Sequence, residues 1–164
     1  MQRDRIPRTR PIPPDAYTIS TPYGQVIITD HGRAVTFHIW DDVKQSEHNA
    51  ALFRYVEHLH QSGIERINAD HISLPYLRPD IPLVRGDRKL DVVYYKGPRI
   101  FECELKTRRE LGLDVTARHL RDLVKRCENL VLLVPTTELE EARIILEIIE
   151  LTGRITIDTY EVPL

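Results

Sequence analysis

Residues Asp91 to Lys106 constrain the fold of this chain more than any other stretch. Val92 to Tyr95 and Ile100 to Leu105 are β-branched or aromatic runs, and Lys96, Gly97, Pro98 and Arg99 between them supply turn chemistry, which predicts a β-hairpin. The register follows from the turn. Tyr95 should pair with Ile100, Tyr94 with Phe101, Val93 with Glu102 and Val92 with Cys103, which brings Asp91 opposite Glu104. Residues opposed in an antiparallel pair have Cβ atoms about 4.5–5.5 Å apart, so both carboxylates would reach one divalent cation. Strand alternation puts Glu102, Glu104 and Lys106 on that face and Phe101, Cys103 and Leu105 on the other.

The rest of the chain supports a single α/β core around this hairpin. Its 164 residues suffice for one domain with a substantial core, and 41% hydrophobic with 29% charged residues describes a globular protein of net charge −2. No apolar run approaches the roughly 20 residues of a membrane span, and the basic start lacks the apolar region of a signal peptide, so a cytoplasmic protein is expected. The two cysteines, Cys103 and Cys127, lack metal-motif spacing and read as packed thiols.

Residues 1–15 form a basic arm: within residues 1–14 Arg3, Arg5, Arg8 and Arg10 face only Asp4, and prolines at 7, 11, 13 and 14 exclude a helix. It reads as flexible, either a phosphate-seeking tail or a solvated terminus. Residues 16–45 form a β segment, with runs at Tyr17 to Ser20, Gln25 to Thr29 and Ala34 to Trp40; Val35, Phe37 and Ile39 share one face. Ser46 is the expected N-cap of a helix from Glu47 to Ser62, stopped by Gly63, with an apolar stripe of Leu52, Tyr55, Val56 and Leu59 and with His48 one turn before Leu52. Glu47 falls in the expected first turn, where the helix dipole favours an acid; its other reading is a third carboxylate for a metal. Ile64 to Leu74 is expected to be a strand, and prolines 75, 79 and 82 make the approach to the hairpin a loop. That loop holds Asp80 and Asp87, which compete with Asp91.

Beyond Lys106 the order is helix, strand, helix, strand. Ala117 to Arg126 is amphipathic, with Arg118, Arg121 and Lys125 on its outer face. Leu130 to Val134 has the continuous apolar character of a strand covered on both sides. Thr137 and Glu140 make a capping box for a helix to Leu151, and Ile155 to Val162 is a closing strand. The last helix is apolar beyond one narrow stripe, which fits a broad cover of the sheet or a homodimer contact.

This order, with the hairpin ending Glu104-Leu105-Lys106, resembles the PD-(D/E)xK nuclease superfamily over residues 46–164, closest in outline to archaeal Holliday junction resolvases. The resemblance implies a restriction-endonuclease-like fold: a central mixed sheet flanked by helices, here with an extra N-terminal antiparallel β segment. It implies Mg²⁺, replaceable by Mn²⁺, held by Asp91 and Glu104 with Glu47 as the helix-borne acid, and Lys106 assisting the attacking water. Glu102, Asp80 and Asp87 are the further acids to place. The implied activity is metal-dependent hydrolysis of phosphodiester bonds in DNA, including branched or junction DNA, with a homodimer presenting two sites. Arg108, Arg109, Arg118, Arg121 and Lys125 are the cations expected to meet phosphates. Two alternatives stay open: a non-catalytic nucleic-acid-binding or assembly module on the same fold, and a nuclease that processes RNA.

Overall fold

The computed structural model describes the backbone of residues 16–21, 24–30, 35–40 and 43–162, and side chains from Glu47 to Val162. The basic arm and the expected face of Val35, Phe37 and Ile39 lie outside the described residues. Chain contacts divide the protein into two units, 1–50 and 51–164. In the first, β1 (Ala16–Thr21), β2 (Gly24–Asp30) and β3 (Val35–Trp40) form a three-stranded antiparallel sheet. Helix α1 (Val43–Gln61) runs unbroken through the division.

The second unit is an α/β core built on a five-stranded mixed sheet. Its strands are β4 (Ile67–Ala69), β7 (Val92–Lys96), β8 (Arg99–Leu105), β9 (Leu130–Pro135) and β10 (Thr156–Tyr160), in the order β10-β9-β8-β7-β4. A separate two-stranded ribbon, β5 (Val84–Arg85) and β6 (Arg88–Lys89), interrupts the connection from β4 to β7. The hairpin has the expected register, Tyr95↔Ile100 through Val92↔Cys103, and Tyr94 stacks on Phe101 across it with ring centres 4.9 Å apart. Gly97 takes a φ of 60° in the turn, which is why glycine stands there.

Both parallel connections place helices on one side of the sheet. Short α2 (Arg108–Leu111) and α3 (Asp114–Val124) link β8 to β9, and α4 (Leu139–Ile148) links β9 to β10. Two right-handed crossovers that advance the sheet in one direction must cover the same face. Accordingly Leu120, Leu123, Ala142 and Leu146 pack with Val93, Leu130, Leu132 and Val134, whereas Leu52, Val56 and Leu59 of α1 pack with Val92, Cys103, Val131 and Leu133 on the opposite face. All of β9 is buried, as its continuous apolar run requires. Both thiols are free, Cys103 fully within the core.

Several element boundaries differ from expectation. Helix α1 begins at Val43, so Ser46 lies inside it rather than capping it, and Glu47 is beyond the first turn, where the dipole argument no longer applies. Strand β4 covers only Ile67–Ala69, because the chain turns at Asp70 and His71. The proline-bearing loop contains the β5–β6 ribbon, turned at Gly86 with a φ of 64°. Thr137 does not cap α4: Thr136–Glu138 forms a 3₁₀ turn, and Glu138 is the N-cap residue. Ile144 and Ile148 remain 55% and 73% exposed, so α4 buries only one side of its apolar surface in this chain.

Candidate functional site

The hairpin ladder ends at Val92↔Cys103, one residue short of Asp91 and Glu104, and side chains take over from backbone there. The Asp91 amide donates to the Cys103 carbonyl at 3.1 Å, and Asp91 Oδ2 accepts the Leu105 amide at 2.8 Å. The carboxylate is thereby fastened to β8 between Glu104 and Lys106. Glu104 Oε1 lies 3.1 Å from Lys106 Nζ. Asp91, Glu104 and Lys106 are only 6%, 9% and 7% exposed. A solvated sheet face carrying an ordinary surface ion pair would leave these groups in water, and it does not describe this arrangement.

Lys106 is fixed from two further directions. Its amide donates to the Leu133 carbonyl on β9 at 2.9 Å, and its carbonyl accepts the Tyr160 hydroxyl from β10 at 3.1 Å. Thr107 then opens α2 through a capping box with Glu110, which turns the chain away from the site directly after Lys106.

The remaining acids have other work. Glu102 Oε1 takes Arg85 Nε at 2.7 Å, and its Oε2 takes the Glu128 and Asn129 amides at 2.6 and 3.2 Å. That is a structural tie between the ribbon, β8 and the start of β9, and it occupies both carboxylate oxygens. Asp87 sits in the ribbon turn, 3.6 Å from Arg126, and Asp80 is exposed in the Pro79 turn. Asp91, by contrast, is buried directly before β7.

Sequence reasoning passed over one histidine here. His71 Nε2 is 3.3 Å from Asp70 Oδ2 and 3.9 Å from Asp91 Oδ1, and Asp70 Oδ1 is 3.0 Å from Lys89 Nζ. Within the second unit, His71 and Asp91 thus bring an imidazole nitrogen and a carboxylate oxygen together. Glu47, the expected helix-borne acid, is exposed. An imidazole facing a carboxylate, with Asp70 at the same ring nitrogen, offers donors suited to a divalent ion.

The expected phosphate contacts fall into two sets. Arg108 is exposed but lies 3.3 Å from Glu138, and Arg109 is exposed on the same short helix. Arg118, Arg121 and Lys125 are exposed at spacings of three and four residues, so they line one face of α3 and its C-cap. On the same helix, burial lowers the pKa of His119, helped by the positive charges of Lys106, Arg88 and Arg118. No helix among the described residues is long and apolar enough to cross a membrane.

A mixed five-stranded sheet with helices on both faces and a buried Asp–Glu–Lys constellation at its strand ends defines an α/β protein with a candidate metal centre. Comparison with protein-family models, curated proteins and solved structures finds no match for the chain.

Proposed function

We propose that this chain is a metal-dependent nuclease that hydrolyses phosphodiester bonds in DNA, branched DNA included, on a restriction-endonuclease-like core of the PD-(D/E)xK type. The observation that carries the reading is the burial of Asp91, Glu104 and Lys106 together where β7 begins and β8 ends, with His71 at the Asp91 carboxylate. Charges taken out of water at such a place are costly, and their retention points to use rather than stability.

Asp91 and Glu104 are the carboxylates that would hold the ion, Mg²⁺ or Mn²⁺, with His71 at the Asp91 carboxylate. A bound divalent cation supplies polarisation of the phosphate and acidification of water. Lys106 faces the same volume as Glu104 and holds a fixed positive charge there, to orient the attacking water or to meet charge developing on the phosphate oxygens. Tyr160 and Leu133 keep the Lys106 backbone in place while this happens. Arg118, Arg121 and Lys125 supply a sequence-independent grip on the nucleic-acid backbone.

The test is cleavage of linear duplex, single-stranded, flap and four-way-junction DNA, and of matching RNA, with and without Mg²⁺ or Mn²⁺. Removing Glu104 or Lys106 (Glu104→Ala, Lys106→Ala) should cost about 10²–10⁴-fold in rate while folding persists. Metal-independent binding with no cleavage of any substrate would instead identify a non-catalytic nucleic-acid module, and preference for the RNA set would identify an RNA-processing enzyme.

A further inference from the structure

We infer that His71 is itself a metal ligand, and that it makes the Asp91 site select Mn²⁺ over Mg²⁺; this rests on the reading of Asp91 as a metal-binding residue. The first ground is backbone shape. His71 has a φ of 62°, and the Ile72 amide reaches back to the Asp70 carbonyl at 2.8 Å, an i→i+2 bond. Together they describe the rarer, positive-φ γ-turn, a strained form. Asp70's amide donates to the Asp91 carbonyl at 2.9 Å, so the turn is fastened directly to the residue that opens β7. Backbone strain of this kind is found where surrounding structure forces a side chain into a required place.

The second ground is where the imidazole goes. One nitrogen, Nε2, lies 3.3 Å from Asp70 Oδ2 and 3.9 Å from Asp91 Oδ1. Asp91 Oδ2 is already taken by the Leu105 amide, so Oδ1 is the oxygen turned toward His71. Two donors bound to one ion at about 2.1 Å are about 2.9 to 4.2 Å apart, and both separations fall in that window. Asp70 is in turn held by Lys89 at 3.0 Å, which leaves it able to orient the ring or to join the ion as a second oxygen donor.

Metal preference follows from donor type. Mg²⁺ favours oxygen donors and retained water, whereas imidazole nitrogen binds first-row transition ions more strongly. Of these, Mn²⁺ also accepts carboxylate oxygen readily, which matches a mixed set.

The experiment is titration of the full-length protein with Mn²⁺ and separately with Mg²⁺, by calorimetry, for the wild type, His71→Asn and Asp91→Asn. Asparagine tolerates positive φ, so His71→Asn keeps the turn while removing the imidazole. Wild type should bind Mn²⁺ at least about tenfold more tightly than Mg²⁺. His71→Asn should weaken Mn²⁺ by about 10- to 100-fold, change Mg²⁺ less, and leave the melting temperature unchanged or higher. Mn²⁺ affinity lost with Asp91→Asn but kept with His71→Asn would overturn this inference and leave the nuclease reading intact. Equal affinity for the two ions in the wild type would overturn the selectivity. Failure of the wild type to bind either ion would overturn the metal site as a whole.

Discussion

Glu102 and Glu104 sit two residues apart on one strand, and their partners differ: Glu102 binds Arg85 and two backbone amides, Glu104 the Lys106 ammonium. Glu102 is 3% exposed and accepts from Arg85 Nε and from the Glu128 and Asn129 amides. Glu102→Ala would leave two backbone amides and Arg85 Nε without their acceptor, although the guanidinium keeps the Pro82 and Val84 carbonyls. Breaking a buried charge pair from one side costs about 3–5 kcal/mol, and unsatisfied amides keep the cost in the upper part of that range. At about 2–4 °C per kcal/mol for a chain of this size, the melting temperature should fall by about 6–20 °C. Glu102→Gln retains one acceptor oxygen and should lose about 1.5–3 kcal/mol. Urea unfolding monitored by circular dichroism gives both numbers, with Arg85→Ala and the double variant closing a cycle. Metal affinity per folded molecule should not change. A Glu102→Ala protein within 1 kcal/mol of the wild type, or one as stable as wild type that has lost metal binding, would refute the assignment.

Two other outcomes follow from charge placement. Replacing Arg118, Arg121 and Lys125 by alanine should weaken binding of all DNA sequences alike and reduce the slope of log K against log salt by up to about 2.7, at about 0.9 per phosphate contact; an unchanged slope would remove α3 from the interface. For His119, burial and the nearby Lys106, Arg88 and Arg118 charges lower the folded pKa below its unfolded value, so the unfolded chain binds the proton more readily. The resulting stability is present above about pH 6.5 and is lost as pH falls through that value toward the lowered folded pKa. His119→Gln should flatten that part of the stability profile, measured by urea unfolding between pH 7.5 and 5.

The hairpin was legible because two independent rules agree on it: a period of two fixes which side chains share a face, and a short glycine turn fixes the register. Asp91 and Glu104 inherit their places from that register. Helix starts were less legible, since cap-type residues are common and only one of several is used. Ser46 has the right chemistry, but Asp41 and Asp42 also precede a helix that begins at Val43. Thr137 and Glu140 have capping-box spacing, yet Pro135 leads into a 3₁₀ turn that shifts the cap to Glu138. His71 was hidden for a different reason. No glycine or asparagine marks its turn, and the bond that fastens the turn, from the Asp70 amide to the Asp91 carbonyl, is long-range in sequence. Glu102 was ambiguous because strand alternation gives the face of a residue and not its partner; the amides of Glu128 and Asn129 come from another connection.

The contrast between the two glutamates can be pressed to a difference in sign. Glu102 ties three segments together, so removing it should destabilise. Glu104 and Lys106 are paired with each other at 3.1 Å inside a sheet of leucines and valines, and taking both charges out of water offsets much of what their attraction returns. Replacing a buried pair with apolar residues of similar volume is commonly neutral or stabilising by about 1–4 kcal/mol. The double variant Glu104→Leu/Lys106→Met should therefore unfold at the same or a higher urea concentration than wild type while losing cleavage entirely. Each single variant breaks the ion pair from one side and should be less stable than the double. Residues kept for folding do not behave this way. A double variant destabilised by several kcal/mol would mean that the pair supports the core, and burial at this strand end would then be no sign of catalysis.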